Sequence, residues 1–200
     1  MSKNFLTTKF LAGQGLGNQL WIYAATRSIS EYLGFGFLQR GLEEFKGLQF
    51  LEIAEHENLS PQEVACFSKV TPTPFFEHQY FDSELNLYAT HFDKRVMSLA
   101  GNHDLQGYFQ SENYFFGNID KLKNYIKINP LILAKNTIAN DVCVLNIRGG
   151  EYKRFKDLIL PNSYWKNAVE NMRCLHGIEK FIVVTDDYRY GRALFPSYEV

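Results

Sequence analysis

The sequence predicts an α/β fold in which helices alternate with the strands of a largely parallel sheet. Two observations support this prediction. A strand, a glycine-rich turn and a helix open the chain, and two short apolar runs near its end each precede a helical segment. Short apolar runs of this kind are typical of parallel strands that are buried on both faces. Because such sheets bind ligands beyond the carboxyl ends of their strands, the polar residues there form the candidate site.

The N-terminal segment predicts a strand over residues 5–11 and a helix over residues 18–33. Apolar residues recur in the second segment at the spacing of one helix face. Gly34 is suited to end this helix, because glycine readily adopts the left-handed conformation of a helix C-terminus.

The middle of the chain is harder to interpret, and residues 35–100 carry no motif that indicates a function. Within them, Ser60 and Pro61 predict a helix start, with serine as the cap and proline in the first turn. Residues 105–109 predict a short strand. Ser111 is then expected to cap another helix. The inward face of that helix is expected to comprise Phe115, Ile119, Leu122 and Ile126.

The last third of the chain has a clearer pattern. Residues 142–147 and 181–184 predict strands that are buried on both faces. A helix is predicted to begin at about residue 163, between the two strands, and another to span residues 188–194. Residues 127–140 are expected to connect this half of the chain to the first.

Composition narrows the classes of function. Hydrophobic residues make up 46% of the chain, enough for a substantial core, and the net charge of −1 gives no basic surface for a nucleic acid. Cys66, Cys143 and Cys174 are too widely spaced for a thiolate metal site, and their odd number argues against a disulfide framework. With no signal-like or membrane-spanning run, the expected location is the cytoplasm.

The glycine-rich turn at residues 13–19 (GQGLGNQ) is the first candidate site. It is not a P-loop, because no Gly-Lys-Ser/Thr follows, and Asn18 replaces the third glycine of the dinucleotide-binding pattern. Glycines before a helix let backbone amides approach an anion, which the helix N-terminus also attracts. A tight strand-to-helix turn without a ligand is the alternative interpretation.

The second candidate is the segment Arg148–Tyr152, which follows a predicted strand. The planar guanidinium of Arg148 is suited to bidentate hydrogen bonds with a diphosphate. The adjacent glycines would let a ligand approach the backbone. Alternatively, Arg148 is a structural residue paired with Glu151 or Asp186.

The third candidate, the segment Thr185–Asp187, follows the last predicted strand. One of its carboxylates could accept hydrogen bonds from a guanine edge, or instead cap the next helix. Two adjacent carboxylates without a nearby histidine make a poor metal site. The five histidines also lack the spacing of metal ligands, so no metal is expected.

These segments together resemble the family-eleven α-1,2-fucosyltransferases, within the wider α-1,2/α-1,6/protein O-fucosyltransferase group. The opening GLGNQLWIYAATRSIS is similar to the N-terminal motif of that family, and LQGYFQS at residues 105–111 is similar to its GYFQS segment. VLNIRGGEY at residues 144–152 resembles its HxRxGD motif, and TDD at residues 185–187 its third nucleotide-domain motif. The order along the chain is the same as in the family.

The resemblance implies a GT-B-like fold of two Rossmann-like halves, with the active site in the cleft between them. Residues 1–135 would form the acceptor-side half and residues 136–200 part of the nucleotide-sugar half. Because family members extend further, this donor half is expected to be truncated. Asn146 replaces the histidine of the family motif, and Glu151 replaces its aspartate.

The implied reaction is inverting transfer of fucose from GDP-fucose to a hydroxyl group of an oligosaccharide or polysaccharide, without a metal or other cofactor. The implied catalytic residues are Arg148, which would hold the β-phosphate, and Glu151, which would orient Arg148 or act as base. The implied donor-binding residues are Gly15, Leu16, Gly17, Asn18, Asn146, Arg148, Gly150, Thr185, Asp186 and Asp187.

Two other hypotheses stay open. A truncated homologue could bind a nucleotide or carbohydrate without catalysis, as the shortened donor half and altered motif suggest. A nucleotide-binding enzyme of unrelated chemistry would show no preference for GDP. Association with a membrane surface and self-association are also open, the latter because an incomplete sheet exposes an edge strand.

Overall fold

The computed structural model describes residues 3–67, 69–84, 86–135, 141–154 and 159–197, apart from the side chains of residues 87, 88, 133–135 and 151. The chain divides into two compact units, Met1–Lys135 (unit 1) and Asn136–Val200 (unit 2). Each unit pairs parallel strands and packs helices beside them. The predicted α/β class is therefore confirmed.

Unit 1 is built on a five-stranded sheet that consists of β1 (Phe5–Lys9), β2 (Gly36–Arg40), β4 (His56–Glu57), β5 (Thr73–Phe76) and β8 (His103–Gln106). Their order in the sheet is β4-β2-β1-β8-β5. All neighbours are parallel except β4, which runs antiparallel to β2 at one edge. The central strand β1 thus has a parallel neighbour on each side.

Helix α1 (Leu16–Leu33) covers one face of this sheet. Ile22 and Ile29 are fully buried on its inner side and pack against Leu6 of β1. Burial of each such side chain contributes about 1.5–3 kcal/mol. The helix ends as predicted, because Gly34 has a φ of 69° and its amide donates to the carbonyl of Glu31.

Helix α2 (Pro61–Phe67) lies on the opposite face, where Phe67 packs against Phe5 and Leu38. Its start is the predicted one. The Ser60 amide donates to the Glu63 carboxylate at 2.7 Å, and the Glu63 amide donates to Ser60 Oγ at 3.3 Å. This reciprocal capping box satisfies two amides at the start of the helix.

The rest of unit 1 contains two antiparallel strand pairs, two short α-helices and several 3₁₀ turns. The predicted long helix after Ser111 is wrong. Two 3₁₀ turns replace its start, because Phe116 (φ 50°) and Gly117 (φ 75°) both adopt left-handed conformations that a helix cannot continue through. The two pairs are β3 (Leu51–Ile53) with β9 (Ile126–Ile128) and β6 (Gln79–Asp82) with β7 (Leu87–Thr90). The two α-helices are α3 (Leu122–Tyr125) and α4 (Pro130–Lys135).

A partly buried polar network links α1 to the rest of unit 1. The Arg27 guanidinium donates to the Glu57 carboxylate at 2.6 Å, to Tyr23 Oη at 2.9 Å and to the Tyr125 carbonyl at 3.2 Å. The Tyr125 hydroxyl in turn bonds to Glu31. Because charged hydrogen bonds are the stronger ones, this network fixes α1 against β4 and α3.

Unit 2 contains the parallel pair β10 (Val142–Ile147) and β11 (Lys180–Thr185), with helices α5 (Asn162–His176) and α6 (Tyr188–Leu194). Leu145, Val183 and Val169 form the centre of its core. The prediction that both strands are buried on both faces is wrong. Val144 is 41% exposed and Val184 is 51% exposed, because the described helices pack against the other face of the pair.

Candidate functional site

The glycine-rich turn leads from β1 into α1. Gly15 is the N-cap residue, and no side chain caps the first turn, which also lacks an acidic residue. The amides of Leu16, Gly17 and Asn18 lie in the part of a helix that has no intrahelical acceptors. This end of α1 therefore offers backbone donors and the positive end of the helix dipole.

Glycine is required by the fold at only one of the three positions in this turn. Gly13 has a φ of 85°, which disfavours any other residue. Gly15 has ordinary extended angles, and Gly17 is helical. A Cβ atom at Gly15 or Gly17 would meet no atom of another part of the fold within 4 Å. The missing side chains thus leave open space beside the first-turn amides.

The structure brings this turn together with the second motif of unit 1. Asn18 Oδ1 accepts a hydrogen bond of 2.8 Å from Gln110 Nε2 in the GYFQS segment. The strand predicted at residues 105–109 instead ends at Gln106. A turn follows, because Gly107 (φ 152°) and Phe109 (φ 51°) leave the extended conformation. A cavity of about 450 Å³ lies here, lined by Asn18, Ala89, Thr90, Tyr108 and Gln110.

Glu77 holds that turn in place, and sequence reasoning did not identify it. One carboxylate oxygen accepts from the amides of Tyr108 and Phe109, both at 2.8 Å, and the other accepts from Tyr114 Oη at 2.9 Å. A Cβ at Gly107 would lie 2.5 Å from Glu77 Cβ, so glycine is needed there. No sequence signal joins Glu77 to residues about thirty positions away.

In unit 2, Asp186 organises the segment after β10. Its Oδ1 accepts from the amides of Gly149 at 2.7 Å and Gly150 at 3.0 Å, and Oδ2 lies 3.2 Å from Arg148 Nε. These two amide bonds, with a smaller contribution from the guanidinium, lower the pKa of Asp186. The Arg148 side chain is 51% exposed and lies over the ring of Tyr152. The structural pairing of Arg148 with Asp186 is thus present.

Asp187 caps α6, as the structural interpretation of this segment expects. Its Oδ1 accepts from the Tyr190 amide at 3.0 Å, and its other oxygen pairs with Lys153. The ion pair with Lys153 is the main cause of the lowered pKa of Asp187. Thr185 Oγ1 accepts from the Asp187 amide at 3.0 Å, which fixes the turn between β11 and α6. Both carboxylates therefore have internal partners.

The two positions that depart from the family motif are placed differently. Asn146 is exposed on β10, on the face opposite the core residue Leu145. Glu151 begins the 3₁₀ turn Glu151–Arg154, but its side chain lies outside the described part of the structure. The two roles predicted for Glu151, as a base or as the residue that orients Arg148, stay predictions.

Among the described residues, no three His, Cys, Asp or Glu side chains form a group that could hold a metal ion. No described helix combines the length and apolar character needed to cross a membrane. No protein-family model matches the chain, and the search of curated proteins found no significant match. The resemblance to the fucosyltransferases therefore depends on the motif residues alone.

Glu77→Ala is expected to lower the free energy of unfolding by about 3 kcal/mol, because the Tyr108 and Phe109 amides lose their acceptor and the buried Tyr114 hydroxyl loses its shorter hydrogen bond. Urea unfolding measures this loss. Glu84→Ala removes an exposed carboxylate from the same unit and is expected to change stability by less than about 0.5 kcal/mol. Equal stability of the two variants would contradict the role given to Glu77.

The amide proton shifts of Gly149 and Gly150 are expected to titrate with a midpoint below 3.8, the ordinary pKa of aspartate. Since the pKa of Asp186 is lowered in the folded state, its stabilising effect is complete above the unfolded pKa. The effect is lost as the pH falls through the folded pKa.

Two-dimensional NMR between pH 5 and pH 2 measures this titration. Asp186→Asn should abolish it. Asp141→Asn removes a carboxylate that pairs with Lys180 and should leave it unchanged. A midpoint at or above 3.8 would show that Asp186 does not hold these amides.

Proposed function

We propose that this chain is a GT-B-like glycosyltransferase that transfers fucose from GDP-fucose to a glycan hydroxyl group with inversion, similar to the α-1,2-fucosyltransferases. The observation that carries the proposal is the open space beside the first turn of α1. Gly15 and Gly17 lack side chains that the fold would accommodate. A diphosphate that approaches the backbone supplies a reason for both glycines.

In this proposal, the first-turn amides of α1 bind the donor diphosphate. The amides of Leu16, Gly17 and Asn18 would donate to phosphate oxygens, and the helix dipole favours their negative charge. Asn18 is already oriented by its bond with Gln110. Because the three amides belong to a formed helix, they would lose little conformational entropy when a diphosphate binds.

Arg148 would bind the β-phosphate. Its Nε atom lies against Asp186, and its half-exposed guanidinium is anchored at the carboxyl end of β10. Charge-assisted hydrogen bonds of this kind contribute about 1.5–3 kcal/mol each. Asn146, Gly150 and Thr185 are the remaining proposed donor contacts in unit 2.

The transfer step itself follows from this assignment. The oxygen of the acceptor hydroxyl bonds to C1 of fucose while the bond from C1 to the β-phosphate oxygen breaks. The electron pair leaves with GDP, and Arg148 stabilises the charge that develops on the β-phosphate. The acceptor proton passes to a base, for which Glu151 is the proposed residue.

Asp186 or Asp187 would recognise guanine with the carboxylate lone pairs that their hydrogen bonds within the protein do not use. A carboxylate has about four lone-pair sites, and the described contacts of each aspartate use only part of them. The same internal bonds favour a second candidate function, binding of a nucleotide or carbohydrate without catalysis. Both aspartates already have structural roles that would persist in a non-catalytic homologue.

The test measures thermal unfolding with GDP, and with ADP and UDP for comparison. GDP at about 100 times its dissociation constant should stabilise the protein by roughly 2.7 kcal/mol. Gly17→Ala should raise the stability of the free protein by up to about 1 kcal/mol, since alanine is the better helix former. The same change should weaken GDP binding, because its methyl group occupies the space beside the amides.

Arg148→Ala should also weaken GDP binding, whereas Arg189→Ala, which alters another exposed arginine of unit 2, should not. A GDP-selective shift that Gly17→Ala and Arg148→Ala both reduce, together with turnover of GDP-fucose, would support the transferase. Selective binding without turnover would support the non-catalytic module. Equal shifts with all three nucleotides, or none, would contradict donor binding.

A further inference from the structure

A second cavity in unit 1, of about 410 Å³, borders the carboxyl ends of β1 and β8. Small-molecule pockets commonly measure about 300–1,000 Å³. After β1 the chain passes through α1 to β2, which pairs with one edge of β1, whereas β8 pairs with the other edge of β1. Parallel sheets bind ligands at such a reversal of strand order. None of the donor-binding residues predicted from the sequence lines this cavity.

Its most buried polar group is Asp104. This residue lies beside Thr7 in the strand register and is only 8% exposed. Asp104 Oδ1 lies 2.5 Å from a terminal nitrogen of Arg40, and Oδ2 accepts from Gln106 Nε2 at 2.9 Å. The carboxylate is thus neutralised and fixed in orientation. Each of its oxygens keeps a further lone pair for a ligand.

Hydrogen-bond donors and an aromatic ring complete the lining. The exposed Lys9 contributes an ammonium group, and Gln79 an amide. Gln14 Oε1 accepts from the Leu11 amide, so the NH₂ group of Gln14 remains as a donor. Tyr108 is 48% exposed at the rim. The cavity therefore combines donors, acceptors and a ring surface.

This combination fits a neutral sugar better than an anion. A sugar hydroxyl both donates and accepts hydrogen bonds, and so matches Lys9 and Asp104 together. The apolar C–H face of a pyranose can pack on an aromatic ring such as Tyr108. A fully ionised phosphate group has only acceptors at its oxygens, so it offers no donor to the Asp104 carboxylate.

We propose that this cavity binds an uncharged pyranose ring through Lys9, Asp104, Gln106 and Tyr108. The assignment rests on the proposed function, for which it identifies the acceptor as a neutral sugar. Asp104 and Gln106 accept from its hydroxyl groups, Lys9 donates to them, and Tyr108 covers the apolar face of the ring.

The test is a two-dimensional NMR titration of the full ¹⁵N-labelled chain with methyl glycosides of galactose, glucose, mannose and N-acetylglucosamine. At least one should cause saturable shifts of the Leu11, Gly107 and Tyr108 amides. Gln106→Ala and Tyr108→Ala should weaken that binding at least tenfold. Gln62→Ala, on the exposed side of α2, should leave it unchanged, and each spectrum also reports whether the variant is folded.

Absence of saturable shifts with all four glycosides would overturn the proposal. The proposal would also be overturned if the glycosides shifted only other residues, or if both site variants bound them as well as the original protein does. Tighter binding of inorganic phosphate than of any glycoside would overturn it too. A GDP titration of the same samples separates the two proposals. Glycoside binding without GDP binding would support the sugar site and contradict the transferase, whereas GDP binding without glycoside binding would overturn the sugar site alone.

Discussion

The central position of β1 is the constraint on which unit 1 depends. β1 pairs in parallel with β2 on one side and with β8 on the other, and its two faces are covered by α1 and by α2. Leu6 packs under α1, whereas Thr7 and Asp104 lie side by side on the opposite face. Both candidate ligand sites of unit 1 lie at the carboxyl end of this strand because the chain leaves the sheet there.

The turn after β8 is the second element that these sites share. The Glu77 carboxylate fixes the backbone of this turn by accepting from two of its amides. Two side chains of the turn, those of Gln110 and Tyr108, then lie at different candidate sites. Gln110 bonds to Asn18 beside the start of α1, while Tyr108 lines the cavities on both sides of the turn. One buried carboxylate thus positions groups for a proposed diphosphate and a proposed sugar, which explains why Gly107 must be glycine.

Local signals predicted much of the fold. Gly34 ends α1 and Ser60 begins α2, because capping depends on residues within one turn of the helix. The break at Phe116 was missed because phenylalanine rarely adopts a left-handed conformation, although the adjacent Gly117 readily does. The sequence predicted the polar clusters at the strand ends, but it did not predict which residues their side chains bond to. The bonds of Asp186 and Glu77 join residues more than thirty positions apart, and only the sheet register brings them together.

A nucleoside diphosphate is proposed to bind at the N-terminus of α1. A crystal structure of the protein with GDP tests this binding site most directly, because it locates the phosphate groups. We expect phosphate oxygens about 3 Å from the amides of Gly17 and Asn18, in the space left by the missing side chains. GDP bound elsewhere, with those amides facing only solvent, would contradict it.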